Sequence, residues 1–159
     1  YNCGAEPVSL DDVAICLVRN SDTHCSVVGR AGQTLLEPGD VWVTCRKKSH
    51  TFMDPYPLLE AACDHEASAM TFDGNDRLLL FVDENGDDAF DPSIDVALDA
   101  FGAMSQVPGW WWEDKIFRRC QLEPFDGVNA TQFYASDYFT EHGRYEMQDL
   151  GTPPTAGCP

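Results

Sequence analysis

The sequence predicts an α+β domain in which a short N-terminal helix packs on an antiparallel β-sheet stabilised by disulfides. Three observations lead to this fold class. A capping pattern opens an amphipathic segment near the N-terminus, short apolar runs are separated by turn residues, and seven cysteines are spread over 159 residues. The length, a hydrophobic share of 43% and the absence of internal repeats favour one globular domain over residues 1–159.

The N-terminal half of the chain is predicted to contain two helices and one strand. Ser9-x-x-Asp12 is typical of a capping box, so we expect a helix over Leu10–Arg19 with one apolar side. Val41–Cys45 alternates between apolar and other residues like a strand. Leu58–Ala67 follows a break with two prolines and is expected to form a second short helix.

The C-terminal half is predicted to contain a hairpin, a third helix and two further strands. The hairpin joins two apolar runs across an Asp-Gly-Asn turn, and the helix begins after a capping serine, Ser93. Aromatic and β-branched residues are enriched in the last two segments. The expected elements are the hairpin of Ser68–Phe72 with Leu78–Val82, the helix Ile94–Met104, and the strands Lys115–Glu123 and Gln132–Phe139.

An acidic loop over residues 83–95 directly follows the second apolar run of that hairpin. Its oxygen-bearing groups have the spacing of a calcium loop, in which short side chains and one backbone carbonyl surround a hard cation. Two positions depart from the EF-hand pattern, because Asp88 replaces the usual glycine and Ile94 replaces the usual bidentate glutamate. The loop therefore predicts either one structural Ca²⁺ ion or a solvated acidic turn. The predicted ligands are Asp83, Asn85, Asp87, the carbonyl of Ala89, Asp91 and, in a loop one residue longer, Asp95.

Charge and cysteine content predict a secreted, extracellular protein. A net charge of −17 disfavours general binding to nucleic acids or to anionic membranes, and no apolar run is long enough to span a bilayer. The cysteines form no CxxC pair, so disulfides fit better than a zinc site. Asn129-Ala130-Thr131 is an acceptor sequence for N-glycosylation. No signal peptide is recognisable, and we expect a mature, soluble chain.

The seven cysteines leave the disulfide pattern open. An odd number allows at most three bridges and one free thiol, and choosing the free cysteine and pairing the other six gives 7 × 15 = 105 arrangements. Spacing alone selects none of them.

Short segments of the chain resemble a family of secreted ribonucleases. Tyr1-x-Cys3-Gly4 followed by Ser9 and Asp12-Val13, and the run Asp76-Arg77-Leu78-Leu79-Leu80, are similar to the small guanyl-specific ribonucleases of moulds and to the ribonuclease-like effectors of plant-pathogenic fungi. The resemblance implies a disulfide between Cys3 and Cys158 and a phosphate-facing role for Arg77. This chain is longer than those enzymes, so the resemblance also implies an insertion, which we place at residues 96–130.

A ribonuclease site requires an acid, a base and a cation around one phosphate. The family's Tyr-Pro-His strand has no counterpart, since Tyr56-Pro57 is followed by Leu58. The terminal histidine of the family has its counterpart in His142-Gly143. The candidate catalytic residues are therefore His50, Glu60 or Glu66, Arg77 and His142.

Three functions are consistent with the sequence. The first is a non-catalytic, effector-type interaction protein that binds a protein or glycan partner, and the aromatic run Trp110-Trp111-Trp112 fits such a surface. The second is an active secreted ribonuclease. The third is the soluble domain of a bacterial minor pseudopilin, because Phe81-Val82-Asp83-x-Asn85-Gly86-Asp87, followed by Asp91-Pro92, resembles the strand and acidic loop of those proteins.

Overall fold

The structure is a computed structural model that describes residues 1–2, 4–46, 63–107, 109, 115–119 and 123–143. These residues form ten short strands and one single-turn 3-10 helix at Ala135–Asp137. The strands are β1 (Val8–Ser9), β2 (Val13–Val18), β3 (Ser26–Arg30), β4 (Leu35–Leu36), β5 (Thr44–Arg46), β6 (His65–Ala67), β7 (Arg77–Val82), β8 (Val96–Phe101), β9 (Lys115–Arg119) and β10 (Phe139–Gly143).

A four-stranded antiparallel sheet with the order β3-β2-β7-β8 forms the centre of the described structure. Strand β2 pairs with β7 from Val13 opposite Val82 to Val18 opposite Arg77, although more than fifty residues of chain separate them. Three two-stranded sheets accompany it: β1 with β4 and β9 with β10 are antiparallel, and β5 with β6 is parallel. Of the six pairings between described strands, four join consecutive strands, while β1 with β4 and β2 with β7 join strands that are not consecutive.

The predicted α+β class is wrong, because the described residues contain no helix beyond the 3-10 turn. The segment expected as the N-terminal helix, Leu10–Arg19, contains strand β2 instead. Its run Val-Ala-Ile-Cys-Leu-Val is buried on both faces, and a short apolar run of this kind fits a central strand as well as a helix. The capping box also has a different role, because the Ser9 hydroxyl accepts a hydrogen bond from the amide of Asp11 (3.3 Å) in a local turn.

The helix predicted over Ile94–Met104 is replaced by strand β8. The serine expected to cap it, Ser93, donates its amide and its hydroxyl to the carboxylate of Asp91 (2.8 and 2.6 Å), which closes a turn before the strand. The helix predicted over Leu58–Ala67 is contradicted at its end, where residues 65–67 form β6, and residues 58–62 lie outside the described structure.

The strand predictions are partly confirmed. The strand expected at Leu78–Val82 exists as β7, but its partners are β2 and β8, and residues 68–72 form no strand, so the predicted hairpin is wrong. Strand β5 overlaps the end of the segment predicted as Val41–Cys45, and β9 falls within the segment predicted as Lys115–Glu123. In the segment predicted as Gln132–Phe139, the 3-10 turn precedes β10, which begins only at Phe139.

The core lies on one face of the central sheet. Small and apolar side chains of β2 and β7 are buried there beneath residues that follow β8, and aromatic rings fill the space with edge-to-face and tilted contacts of 5.0–5.2 Å between centroids. Gly127 is required by this packing, because a Cβ at that position would lie 2.4 Å from the Cβ of Ala100. The buried cluster consists of Ala14, Cys16, Leu79, Phe81, Ala100, Ala103, Phe125 and Phe133.

Two disulfides stabilise this arrangement, as the cysteine content predicts. Cys16 of β2 is bonded to Cys25, one residue before β3, so this bridge closes the hairpin of the two strands. Cys45 of β5 is bonded to Cys63, two residues before β6, and this bridge joins the strands of the parallel pair. The predicted partners Cys3 and Cys158 lie outside the described residues.

Candidate functional site

Arg77, the candidate phosphate-facing cation, is buried and bound to the protein's own backbone. Only 1% of the residue is exposed. Its Nη1 atom donates hydrogen bonds to the carbonyls of Met104 (3.0 Å) and Gln106, and its Nη2 atom donates to the carbonyls of Asn20 (2.9 Å) and Asp22 (2.8 Å). These four bonds join β7 to two loops, and they direct the guanidinium toward backbone oxygens.

The neighbours of Arg77 form a buried polar group at the same end of the sheet. Asp76 is also buried, and its carboxylate accepts a hydrogen bond from the amide of Asn20 (2.9 Å). Burial raises the pKa of Asp76, and the negative charge of Asp73 adds to this rise. Burial lowers the pKa of Arg77, although a guanidinium stays charged at neutral pH. The group therefore connects the loop after β2 to the start of β7.

The other candidate catalytic residues are not brought to Arg77 within the described structure. Glu66 is an exposed residue of β6. His142 lies in β10, where its backbone is in register with Ile116 of β9. His50 and Glu60 lie outside the described residues. Their participation in one site therefore stays a prediction.

The acidic loop between β7 and β8 is organised around the carboxylate of Asp83. This side chain is fully buried and accepts hydrogen bonds from the amides of Gly86 (2.8 Å) and Asp88 (3.2 Å) and from the guanidinium of Arg30. Burial alone would raise the pKa of Asp83, but the hydrogen bonds from Arg30 and from the two amides hold it below its ordinary value. Arg30 also forms an ion pair with Asp88 (2.7 Å), so one guanidinium holds both ends of the turn.

Asp88 adopts the backbone conformation that the calcium-loop pattern reserves for glycine at this position. Its φ angle is +63°, in the left-handed region that aspartate tolerates better than most residues, and Gly86 has a φ angle of +70°. The replacement of glycine therefore leaves the turn intact.

The predicted calcium ligands bind mainly groups of the loop itself. Asp95 is buried and accepts hydrogen bonds from the amides of Glu84 (3.0 Å) and Asp91 (2.7 Å), which closes the loop. The carboxylate of Asp87 accepts from the amide of Ala89 (3.0 Å) and from the side chain of Asn85 (3.0 Å). Within the described residues, no three acidic, histidine or cysteine side chains are grouped as a metal site would require. Calcium binding to the loop stays a prediction.

The first half of strand β8 and the turn before it expose apolar side chains. Ile94 in the turn and Val96 and Leu98 in the strand have 48, 49 and 37% of their surface exposed, although such side chains are usually buried. This feature was not predicted, because residues 94–104 were expected to form a helix. The β-branched Ile94 and Val96 at alternate positions are the signal that favours a strand.

Asn129, the predicted glycosylation site, is an exposed residue. Its Nδ2 atom donates a hydrogen bond to the carboxylate of Asp126 (2.8 Å), and this bond, with the amide of Asn129, lowers the pKa of Asp126. The position is accessible to modification, and the glycan stays a prediction. The run Trp110-Trp111-Trp112 lies outside the described residues.

Comparison with known proteins leaves the function to be argued from this geometry. No protein-family model, curated protein or solved structure matches the chain. In the part of the chain that the structure describes, no helix is both long enough and apolar enough to cross a membrane.

Proposed function

We propose that this protein is a secreted, disulfide-stabilised interaction protein that binds a protein partner through the exposed edge of β8. The observation that carries the proposal is the apolar row formed by Val96 and Leu98 on the edge strand of the central sheet and by Ile94 in the turn before it. Exposed apolar groups that lie together mark interaction surfaces in soluble proteins more often than isolated ones do. The two disulfides are consistent with an extracellular location.

The environment of Arg77 supports a binding function over ribonuclease chemistry. Catalysis at a phosphate needs a cation that is directed at the substrate. The buried guanidinium of Arg77 instead donates to four backbone carbonyls of the protein. Releasing it would leave these partly buried carbonyls without their charged donor, which is energetically unfavourable.

The test is differential capture from the extracellular medium of the source organism. The wild-type chain is immobilised beside a Val96→Asp/Leu98→Asp double variant, which introduces charge into the apolar row. A Leu35→Asp variant is the matched control, because Leu35 is an apolar residue with 61% exposure in the separate sheet of β1 and β4. We expect proteins that the wild type and the control retain and the double variant loses.

Two results would contradict the proposal. The first is capture that is identical for all three proteins. The second is RNA cleavage by the highly purified protein that is lost in a His142→Ala variant, since this would identify an active ribonuclease. The cleavage assay is run once in EDTA and once in calcium, so that a metal requirement is also detected.

A second candidate function is the soluble domain of a bacterial minor pseudopilin. The observation in its favour is that Cys16, disulfide-bonded to Cys25, lies on the strand that pairs with β7, and the acidic loop follows β7 directly. The Cys16–Cys25 segment is therefore a neighbour of the segment that resembles the strand and acidic loop of pseudopilins. Sequencing the complete reading frame tests the candidate, since a pseudopilin requires an apolar N-terminal helix upstream of Tyr1. A reading frame without one would remove it.

A further inference from the structure

We propose that the partner of the β8 edge is a positively charged, extended segment of protein that adds to the central sheet as a fifth, antiparallel strand. This inference rests on the proposed binding function and names the chemistry of the partner. Three observations lead to it: the position of β8 in the sheet, the absence of lysine and proline from this strand, and the charge of the adjoining loop.

The first observation is that β8 is an edge strand. Among the described residues it pairs only with β7, and it is the last strand of the order β3-β2-β7-β8. The amide and carbonyl groups on the other side of such a strand are available to an incoming strand. Because the central sheet is antiparallel throughout, antiparallel addition continues its hydrogen-bonding pattern.

The second observation is the composition of β8. Lysine and proline are two of the features that commonly protect an edge strand, beside inward-pointing charge and β-bulges. The sequence of β8, Val-Ala-Leu-Asp-Ala-Phe, contains neither lysine nor proline. Its single carboxylate, Asp99, accepts hydrogen bonds from the amides of Ala100 (2.9 Å) and Phe125 (2.8 Å) and so belongs to the protein's own packing.

The register between β8 and β7 shifts by one residue, and this shift affects which β8 side chains a partner strand would contact. Leu80 is opposite Asp99 and Phe81 is opposite Ala97, so Leu98 is an extra residue without a partner position on β7. Leu98 and Val96 are nevertheless both exposed and apolar. They provide two hydrophobic contacts for a partner strand of matching alternation.

The third observation is the negative charge at the N-terminal end of β8. The loop of residues 83–95 contains six carboxylates and no lysine or arginine, and within the described contacts Arg30 is the guanidinium that it binds. Glu84, Asp87 and Asp88 are exposed. Opposite charges at such a rim steer association and select the partner. In an antiparallel arrangement, lysine or arginine must therefore follow the apolar part of the partner strand, where it lies beside the loop.

The negative charge of the protein also disfavours binding of a second copy of this chain at the β8 edge. Each copy carries a net charge of −17, so two copies repel each other at physiological ionic strength. A basic segment is attracted by the same field.

The test is a selection from displayed random peptides about ten residues long, which is the upper length of typical strands. Binders are selected on the wild-type protein and counter-selected on Val96→Asp/Leu98→Asp. We expect the enriched peptides to alternate apolar and other residues and then to contain lysine or arginine. No enrichment over the counter-selection, or enrichment of peptides without basic residues, would overturn the inference.

The affinity of one enriched peptide is then measured by fluorescence anisotropy at low and at high salt. We expect binding to be at least tenfold weaker for Val96→Asp/Leu98→Asp. For Glu84→Gln/Asp87→Asn, which leaves the strand unchanged, we expect binding to be several-fold weaker and less sensitive to salt. We expect peptide binding to slow amide hydrogen exchange at residues 96–98. If exchange slows only at other residues, the proposed addition of a strand to β8 is wrong.

The failure of this inference is distinguishable from the failure of the proposed function. Capture that depends on Val96 and Leu98, without any selected basic peptide, would leave the binding function standing and remove the basic strand. A dimer in sedimentation that the double variant abolishes would identify a second copy as the occupant and overturn the inference. If a selected peptide binds at β8 but the Val96→Asp/Leu98→Asp variant captures the same proteins as the wild type, the proposed function is contradicted and this inference is not.

Discussion

At the scale of single residues, two buried charged side chains define the ends of the central sheet. Arg77 lies at the start of β7 and binds four backbone carbonyls, and Asp83 follows its end and binds two amides and a guanidinium. Neither charge is exposed to solvent. Buried charges are tolerated when most of their hydrogen-bonding capacity is used. The two Nη atoms of Arg77 bind backbone carbonyls while its Nε is unpaired, and Asp83 binds two amides and Arg30.

Replacing Arg77 with methionine tests its structural role. We expect the free energy of unfolding to fall by about 3 kcal/mol, because four buried carbonyls lose a charged donor. The measurement is urea denaturation. Arg19→Met is the matched control, because Arg19 makes two hydrogen bonds, to Thr71 (3.2 Å) and Ala69 (3.1 Å), at a half-buried position. An equal loss in both variants would contradict a special role for Arg77.

Replacing Asp83 with asparagine tests the buried ion pair through its pH dependence. The folded pKa of Asp83 lies below the ordinary value of about 4, so the folded protein binds fewer protons there than the unfolded chain. This carboxylate therefore contributes stability above about pH 4 and loses it as the pH falls through the folded pKa.

We expect the difference in free energy of unfolding between wild type and Asp83→Asn to be largest near neutral pH and to shrink in acid. Denaturation at several pH values measures this difference. Asp87→Asn serves as the control, because Asp87 is exposed and we expect its replacement to have a smaller effect. A difference for Asp83→Asn that does not change with pH would contradict the ion-pair interpretation.

At the scale of elements, a guanidinium from one strand holds the loop that follows another. Arg30 is the last residue of β3. It lies in one row of the sheet with Ala14 of β2 and Phe81 of β7. From the strand on the far side of β2, Arg30 reaches Asp83, which directly follows the end of β7. The cation that this loop binds in the structure is therefore supplied by the protein.

Calcium binding to the loop is tested by removing that guanidinium. A calcium ion that used Asp83 would compete with Arg30, so we expect Arg30→Met to bind calcium about tenfold more tightly than the wild type, since affinity follows the charge of the ligand set. Titration calorimetry measures the affinity, and melting temperatures in calcium and in EDTA provide a second readout. Arg19→Met controls for general destabilisation. No calcium binding by either the wild type or Arg30→Met would remove the predicted metal site.

At the scale of the whole molecule, the two disulfides reduce the number of cysteine arrangements. Of seven cysteines, four are bonded in the described structure. The remaining three are Cys3, Cys120 and Cys158, and at most one further bridge can join two of them. The pairing of Cys3 with Cys158, which the ribonuclease resemblance implies, is one of three options and stays a prediction.

A peptide map of the unreduced protein tests this assignment. We expect fragments that join Cys16 to Cys25 and Cys45 to Cys63. A Cys45→Ser/Cys63→Ser variant should lose about 3 kcal/mol of stability, because the closed loop is 18 residues long. A map that joins Cys16 or Cys45 to any other cysteine would contradict the topology of the central sheet or of the parallel pair.

The sequence by itself determined features that depend on neighbouring residues. The apolar run of β7 and the acidic loop after it were predicted in place, because a strand-forming run followed by closely spaced carboxylates and glycine carries its own signal. Disulfide stabilisation was predicted from composition. The glycine-like backbone of Asp88 also agrees with the loop pattern, since turn conformation depends on a few adjacent residues.

Only the tertiary structure decided the conformation of β2 and β8 and the roles of Arg77 and Arg30. An apolar run of six residues fits a helix or a buried strand, and the choice for β2 depends on its pairing with β7, more than fifty residues away. The carbonyls that bind Arg77 and the carboxylate that binds Arg30 are likewise distant in sequence. Contacts of this kind arise from strand pairing across the whole chain, which local patterns do not encode.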